Sequence, residues 1–98
     1  MTISRVQKNE TLTLRLEGRL DTITAPELEK IVTELPKDVT ALVLDMTDLA
    51  YISSAGLRVL LEAQKKMNRR GSMKLIGVGE SIMDILEMTG FADILTIE

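Results

Sequence analysis

Leu12, Leu14 and Leu16 alternate with Thr13, Arg15 and Glu17. A period of two places the leucines on one face of an extended chain and the polar residues on the other, so Thr11–Glu17 reads as a half-buried strand. Ile3–Gln7 is a weaker strand of the same kind, and the polar Lys8, Asn9 and Glu10 between them have the length of a hairpin turn. Past Gly18 the period lengthens. Thr24, Ala25, Pro26 and Glu27 supply a capping hydroxyl, an early proline and a glutamate three residues after the cap, ahead of Leu28, Ile31, Val32 and Leu35. They predict a helix from about Ala25 to Leu35, ended by Pro36.

Ala41-Leu42-Val43-Leu44 is a short unbroken apolar run, the pattern of a central parallel strand covered on both faces, which Asp45 is expected to end. A second helix is expected from Ser53 or Ser54 to Arg70, with Leu57, Leu60, Leu61 and Met67 at helical spacing, Val59 and Ala63 widening the stripe, and Gly71 closing it. Met73–Val78 then reads as a strand. Ser81 as cap, with Ile82, Ile85, Leu86 and Thr89 at i, i+3, i+4 and i+7 and Gly90 as stop, predicts a third helix. Ile94–Ile97 supplies a last short strand. The order is β-β-α-β-α-β-α-β. Right-handed β-α-β passages would wind the later part into a sheet, so the expected class is α/β with a mixed, largely parallel sheet. No repeat or linker interrupts the chain, and residues 1–98 read as one domain.

Composition narrows the chemistry. The only aromatic residues are Tyr51 and Phe91, so the core is aliphatic and there is little on which a nucleic-acid base could stack. Twelve basic against fifteen acidic residues leave a net charge of −3, which offers neither a footprint for a phosphate backbone nor attraction to an anionic membrane. Without cysteine or histidine the chain lacks disulfides, the usual soft metal ligands and the usual general base. It also has neither a P-loop nor a dinucleotide glycine fingerprint. These absences point away from catalysis and from a bound cofactor, toward a domain that works by being bound. No apolar run approaches the roughly 20 residues of a membrane-spanning helix, and the first residues, MTISRVQKNE, hold no apolar signal core. A cytoplasmic location without direct membrane insertion is expected.

In open parallel sheets the working edge lies at the carboxyl ends of the strands. Two segments reach it: Gly18 to Asp21, and Asp45 through Asp48 to Ser53, Ser54, Ala55 and Gly56. If their strands are neighbours, Asp21 and Ser54 converge on one patch. A serine at a helix start is ordinarily a cap worth ~1 kcal/mol. Two serines followed by Ala-Gly exceed that need, since one cap suffices and an early glycine costs about 1 kcal/mol relative to alanine. Small residues there leave the turn open to an approaching macromolecule. Arg58, one turn past Ser54, is placed to touch a partner or a phosphate, or to be solvated. Asp21 is a turn former, or else orients Ser54 or contacts a partner, and Asp45 and Asp48 suit capping and turn roles. Lys65, Lys66, Arg69 and Arg70 complement the dipole at the end of the second helix. Met67, Met73, Met83 and Met88 are expected in the core, Met83 alternatively beside a docking surface.

Gly18-Arg19-Leu20-Asp21, Leu42-Val43-Leu44-Asp45, the run Ile52-Ser53-Ser54-Ala55-Gly56-Leu57-Arg58-Val59-Leu60-Leu61 and the later Met88-Thr89-Gly90-Phe91 together resemble the STAS domain family over essentially the whole chain. At this length the resemblance is greatest to the bacterial anti-sigma factor antagonists. It implies a STAS-like β-α superhelix and phosphorylation of the serine two places before the motif glycine, here Ser54. It implies partner binding through Asp21, Ser53, Ser54, Gly56 and Arg58. An anti-sigma factor serine kinase and a serine phosphatase are the implied partners, with no direct contact to nucleic acid. The family pattern has an aspartate before the acceptor and a serine or threonine after it; this chain has Ser53 and Ala55 there. Those departures lend some weight to the alternative of a non-switched STAS accessory subunit of a membrane transport complex such as a lipid ABC transporter. A core and helix caps complete within the chain predict folding without metal, so a chelator should leave the thermal melting curve unchanged.

Overall fold

The computed structural model describes residues 1–98. Strands β1 (Thr2–Lys8) and β2 (Thr11–Leu20) form an antiparallel hairpin. Helix α1 (Ala25–Thr33) leads to β3 (Ala41–Ile52), α2 (Ser54–Asn68) to β4 (Ser72–Ile76), and α3 (Glu80–Met88) to a single 3-10 turn, Phe91–Asp93. The strands lie in the order β1-β2-β3-β4, with β2, β3 and β4 mutually parallel. The expected mixed, largely parallel sheet is thus present. At the hairpin, Asn9 takes a left-handed φ of 58°, which asparagine tolerates better than most residues.

The last expected strand is not formed as such. Ile94 and Leu95 both donate their N–H groups back to Phe91 C=O, which delays extended chain until Thr96. What remains is one parallel bridge, Leu75 to Ile97.

Stepping from β2 to β3 to β4 between adjacent neighbours by right-handed crossovers places every connecting helix on the same side of the sheet. Burial follows that geometry. Leu12, Leu14, Leu16, Leu42, Leu44, Met46, Met73 and Leu75 are buried in one cluster with Leu28 and Val32 of α1, Leu60, Ala63 and Met67 of α2, and Ile82 and Leu86 of α3. Thr11, Thr13, Ala41, Val43 and Lys74, which alternate with the buried positions, are only half-buried. The expectation that β3 is covered on both faces is therefore corrected. Val43 is shielded sideways by its register neighbours Thr13 and Lys74, and an apolar run in a central strand needs no second layer.

Nor does β3 end at Asp45. It runs on beside β2 through the pairs Glu17–Asp48, Gly18–Leu49, Arg19–Tyr51 and Leu20–Ile52, with two register shifts and Gly18 at φ 101°. Buried Met46, Leu49 and Ile52 hold this extension on the core. Its polar residues have partners of their own: Asp45 Oδ1 accepts from the Thr47 N–H (3.0 Å) and hydroxyl (2.6 Å), and Asp48 accepts from Arg15 Nε (3.1 Å).

The helix ends also differ from expectation. Thr24 does not cap α1 through its side chain; its hydroxyl accepts from the Asp21 N–H (2.9 Å) and donates to Arg19 C=O (2.7 Å). The Asp21 carboxylate instead shapes the loop before the helix, its Oδ1 accepting from the N–H groups of Ile23 (3.0 Å) and Thr24 (3.1 Å), while the Asp21 C=O accepts from the Ala25 N–H (2.8 Å). Lys66 Nζ donates to the C=O groups of Val32 (2.8 Å) and Thr33 (3.1 Å), and Arg70 to that of Pro36. Lys66 therefore closes the carbonyl end of α1 and Arg70 the loop after it, while both stand at the end of α2. Helix α3 starts after Gly79, with no side-chain cap, so Ser81 lies inside its first turn. Met67 and Met73 are core residues and Met83 is half-buried, but Met88 is 86% exposed.

Gly71 is not left-handed. It is required by a close approach, because an added Cβ would lie 1.9 Å from Thr40 O. Gly71→Ala is expected to lose about 1–3 kcal/mol in urea unfolding, whereas Gly79→Ala, with nothing within 4 Å of its added Cβ, should stay within about 0.5 kcal/mol of wild type. A second prediction concerns pH. The Thr24 N–H, joined by the Ile23 N–H, the Thr24 hydroxyl and the Arg19 cation, holds the Asp21 carboxyl below the usual carboxylate range, against an opposing effect of burial. With the folded value the lower, this stabilisation is complete above the unfolded value of about 3.9 and is lost as pH falls through the folded one. Asp21→Ala should therefore melt earlier than wild type at pH 7, and the gap should narrow as both are taken from about pH 5 to about pH 2.

Candidate functional site

The candidate site is built where β2 and β3 finish. Leu20 and Ile52 are the last register pair, both buried, and the Ser53 N–H donates to Leu20 C=O at 2.9 Å. The two strands consequently leave the sheet side by side, which brings the Asp21 loop and the start of α2 to one edge. Ser53 is extended (φ −100°, ψ 176°) and is the N-cap of α2. Its Oγ accepts from the Gly56 N–H at 3.4 Å, a long and therefore weak cap.

Ser54 is the first helical residue and is exposed. Its hydroxyl makes no hydrogen bond, and the N–H groups of Ser54 and Ala55 have no acceptor in the protein. The first turn of α2 holds no acidic side chain. The partial positive charge of the helix start is thus uncompensated and faces outward.

Gly56 is buried beneath this turn. A Cβ there would stand 2.7 Å from Leu20 Cγ and 2.9 Å from both Ile52 Cγ1 and Leu20 O. Its contribution is this close approach, which seats the first turn of α2 on the ends of β2 and β3. Arg58, one turn further, is exposed and forms no ion pair, unlike Arg15 with Asp48 and Arg19 with Asp21. With Thr22, Ala25, Pro26, Glu29, Ala55 and Val59 it lines a shallow notch of about 240 Å³ between α1 and α2.

Asp21 arrives at the same edge, but its carboxylate is committed to its own turn and makes no hydrogen bond to Ser54. Oδ2 lies 3.6 Å from Arg19 Nε, and the Arg19 guanidinium sits 4.2 Å from the centre of the Tyr51 ring. Asp21 therefore sets the shape of the 21–24 loop. That loop displays Ile23, 85% exposed, a residue the periodicity analysis passed over. Its only signal in the sequence is an isolated apolar side chain within Thr22-Ile23-Thr24.

In chemical terms, Ser54 has no base in hydrogen-bond contact to activate it as a nucleophile. The arrangement offers an exposed hydroxyl on a rigid turn, next to free N–H groups suited to an anion. A larger cavity, about 570 Å³, lies at the opposite end, where Thr11, Ala41 and Ser72 begin their strands; Lys74 and Glu98 pair beside it at 3.3 Å. None of the converging residues reaches it. No helix is long and apolar enough to cross a membrane.

Known proteins resemble this chain over most of its length. The family model of the STAS domain matches residues 2–98. An anti-sigma-B factor antagonist of Listeria monocytogenes is 32% identical over 83 residues, 83% of this chain and 73% of that protein. One from Staphylococcus aureus is 28% identical over 86 residues, 86% of this chain and 80% of that protein. The crystal structure of an anti-sigma factor antagonist from Mycobacterium paratuberculosis superposes with a TM-score of 0.86 at 22% identity, covering 98% of this chain and 83% of that one. A match that runs the length of the fold, from β1 to the last bridge, means that this chain belongs to the STAS domain family.

Proposed function

We propose that the domain is an anti-sigma factor antagonist switched by phosphorylation of Ser54. Unmodified, it binds an anti-sigma factor with kinase activity, and a sigma factor is released; phosphorylated, it no longer binds until a serine phosphatase restores it. The observation that carries this reading is the division of labour between the two serines. Ser53 is half-buried and its oxygen faces the Gly56 N–H, whereas Ser54 is exposed with an unengaged hydroxyl. The relatives named as anti-sigma-B factor antagonists supply the class of partner.

A phosphate on Ser54 adds about −1.5 to −2 charges. The unpaired N–H groups of Ser54 and Ala55 and the unpaired Arg58 can hold it without disturbing the core. Folding is kept and only the docking surface changes. ATP and its metal ion belong to the kinase, and the chain itself is substrate and ligand, working in the cytoplasm. Asp21 serves by fixing the loop beside Ser54, and Gly56 by lowering the helix onto it.

Peptide mapping after reaction with the anti-sigma kinase and ATP should find phosphate on Ser54; phosphate on Ser53 alone would overturn the assignment. Ser54→Ala should bind the kinase and remain unmodified. Ser54→Asp should melt normally yet bind at least roughly thirtyfold more weakly, a loss of about 2 kcal/mol, because the partner must bury an unpaired carboxylate. Equal affinity for wild type and Ser54→Asp by calorimetry would remove the electrostatic mechanism even if the site stands.

A further inference from the structure

Ile23 is 85% exposed on a loop whose shape is fixed, since its own N–H and that of Thr24 are both held by Asp21 Oδ1. A β-branched side chain on a fixed backbone has few rotamers to lose when it is buried. Thr22, the chain neighbour of Ile23, borders the notch between α1 and α2, where Ala25, Pro26, Ala55 and Val59 supply the apolar lining and Glu29 and Arg58 the charged one. At about 240 Å³ the notch falls below the roughly 300–1,000 Å³ of small-molecule sites. It has room for one aliphatic side chain. A projecting aliphatic group next to a small apolar recess is the form taken by the centre of many protein interfaces.

Resting on the antagonist reading above, we infer that Ile23 and this notch are the contact by which the domain selects its anti-sigma factor. Ile23 enters an apolar recess of that partner. An aliphatic side chain of the partner enters the notch, whose lining carries both Glu29 and Arg58, and a partner carboxylate meets Arg58, which is exposed and forms no ion pair in this chain. The contact is continuous with the switch. Ala55 both follows Ser54 and lines the notch, so a partner seated there covers the Ser54 hydroxyl and has no room for a phosphate. A serine or threonine in place of Ala55 would bring a hydroxyl to this apolar floor, which gives the alanine a reason in this chain.

The test uses the purified anti-sigma kinase that phosphorylates Ser54, titrated into the domain by calorimetry. Ile23→Ser and Ala55→Met, the second filling the notch, should each weaken binding at least tenfold. Val6→Ser, which alters another largely exposed apolar residue (65%) on β1, should bind like wild type. Should Ala55→Met fail to fold, Ile23→Ser decides alone, because so exposed a side chain contributes little to the core. Wild-type affinity in Ile23→Ser overturns the contact. So does sedimentation showing that Ile23 instead joins two copies of this chain while kinase affinity is unchanged. A wild-type domain that neither binds the kinase nor is modified by it defeats the antagonist reading itself, and this contact with it.

Discussion

Leu20 lies under Gly56, and the candidate site depends on that contact. Any side chain at position 56 would collide with the Leu20 side chain and carbonyl and with Ile52. The glycine lets α2 start directly on the sheet edge, with the Ser53 N–H bonded to Leu20 C=O. Raised by even a methyl group, the first turn would leave the end of β2 and separate Ser54 from the Asp21 loop. Early glycine is unfavourable for a helix by about 1 kcal/mol relative to alanine; here that local cost is outweighed by the burial of Leu20, Ile52 and Leu57, all 7% exposed or less. Local propensity yields to packing at this one position, and the exposed turn is the result.

The single-sided sheet follows from the same economy of connections. Adjacent right-handed crossovers leave one face to all three helices, and basic residues of α2 then reach the C-terminal carbonyls of α1 and of the loop after it. Lys66 ties α2 to the end of α1 and Arg70 ties it to the loop that follows, while at the other end the Ser53 N–H fixes the start of α2 to Leu20 C=O. Small residues, Ala25 and Ala55, leave room for the notch between the two helices. Charge follows a similar logic. The Asp21 carboxylate is absorbed by its own turn, and no acid stands in the first turn of α2, so the helix start retains its pull on an anion.

Much of this was legible along the chain. The alternation of Leu12, Leu14 and Leu16, the stripe from Leu57 to Met67 and the stop at Gly90 specify their elements because period and burial are the same physical fact seen twice. Ser54 and Gly56 could be marked because one serine suffices as a cap and an early glycine disfavours a helix. The failures were also local in origin. Thr24 has the right type for a cap, yet its hydroxyl is engaged by the Asp21 N–H and the Arg19 C=O and does not cap the helix start. Asp45 looks like a strand end, yet Thr47 satisfies its carboxylate and the strand continues.

Composition and periodicity by themselves determined the element order, the aliphatic core and the absence of histidine and cysteine chemistry, since these depend only on which residues occur and at what spacing. Only the tertiary structure decided which serine caps and which is free, that Gly56 and Gly71 answer to close approaches, that Ile23 stands beside a notch, and that the last strand shrinks to a single bridge. Each of these turns on distances of a few ångströms between residues far apart in the chain, Leu20 with Gly56 or Thr40 with Gly71. No pattern of neighbours along a sequence contains such distances; they exist only once the strands have paired and the helices have settled on them.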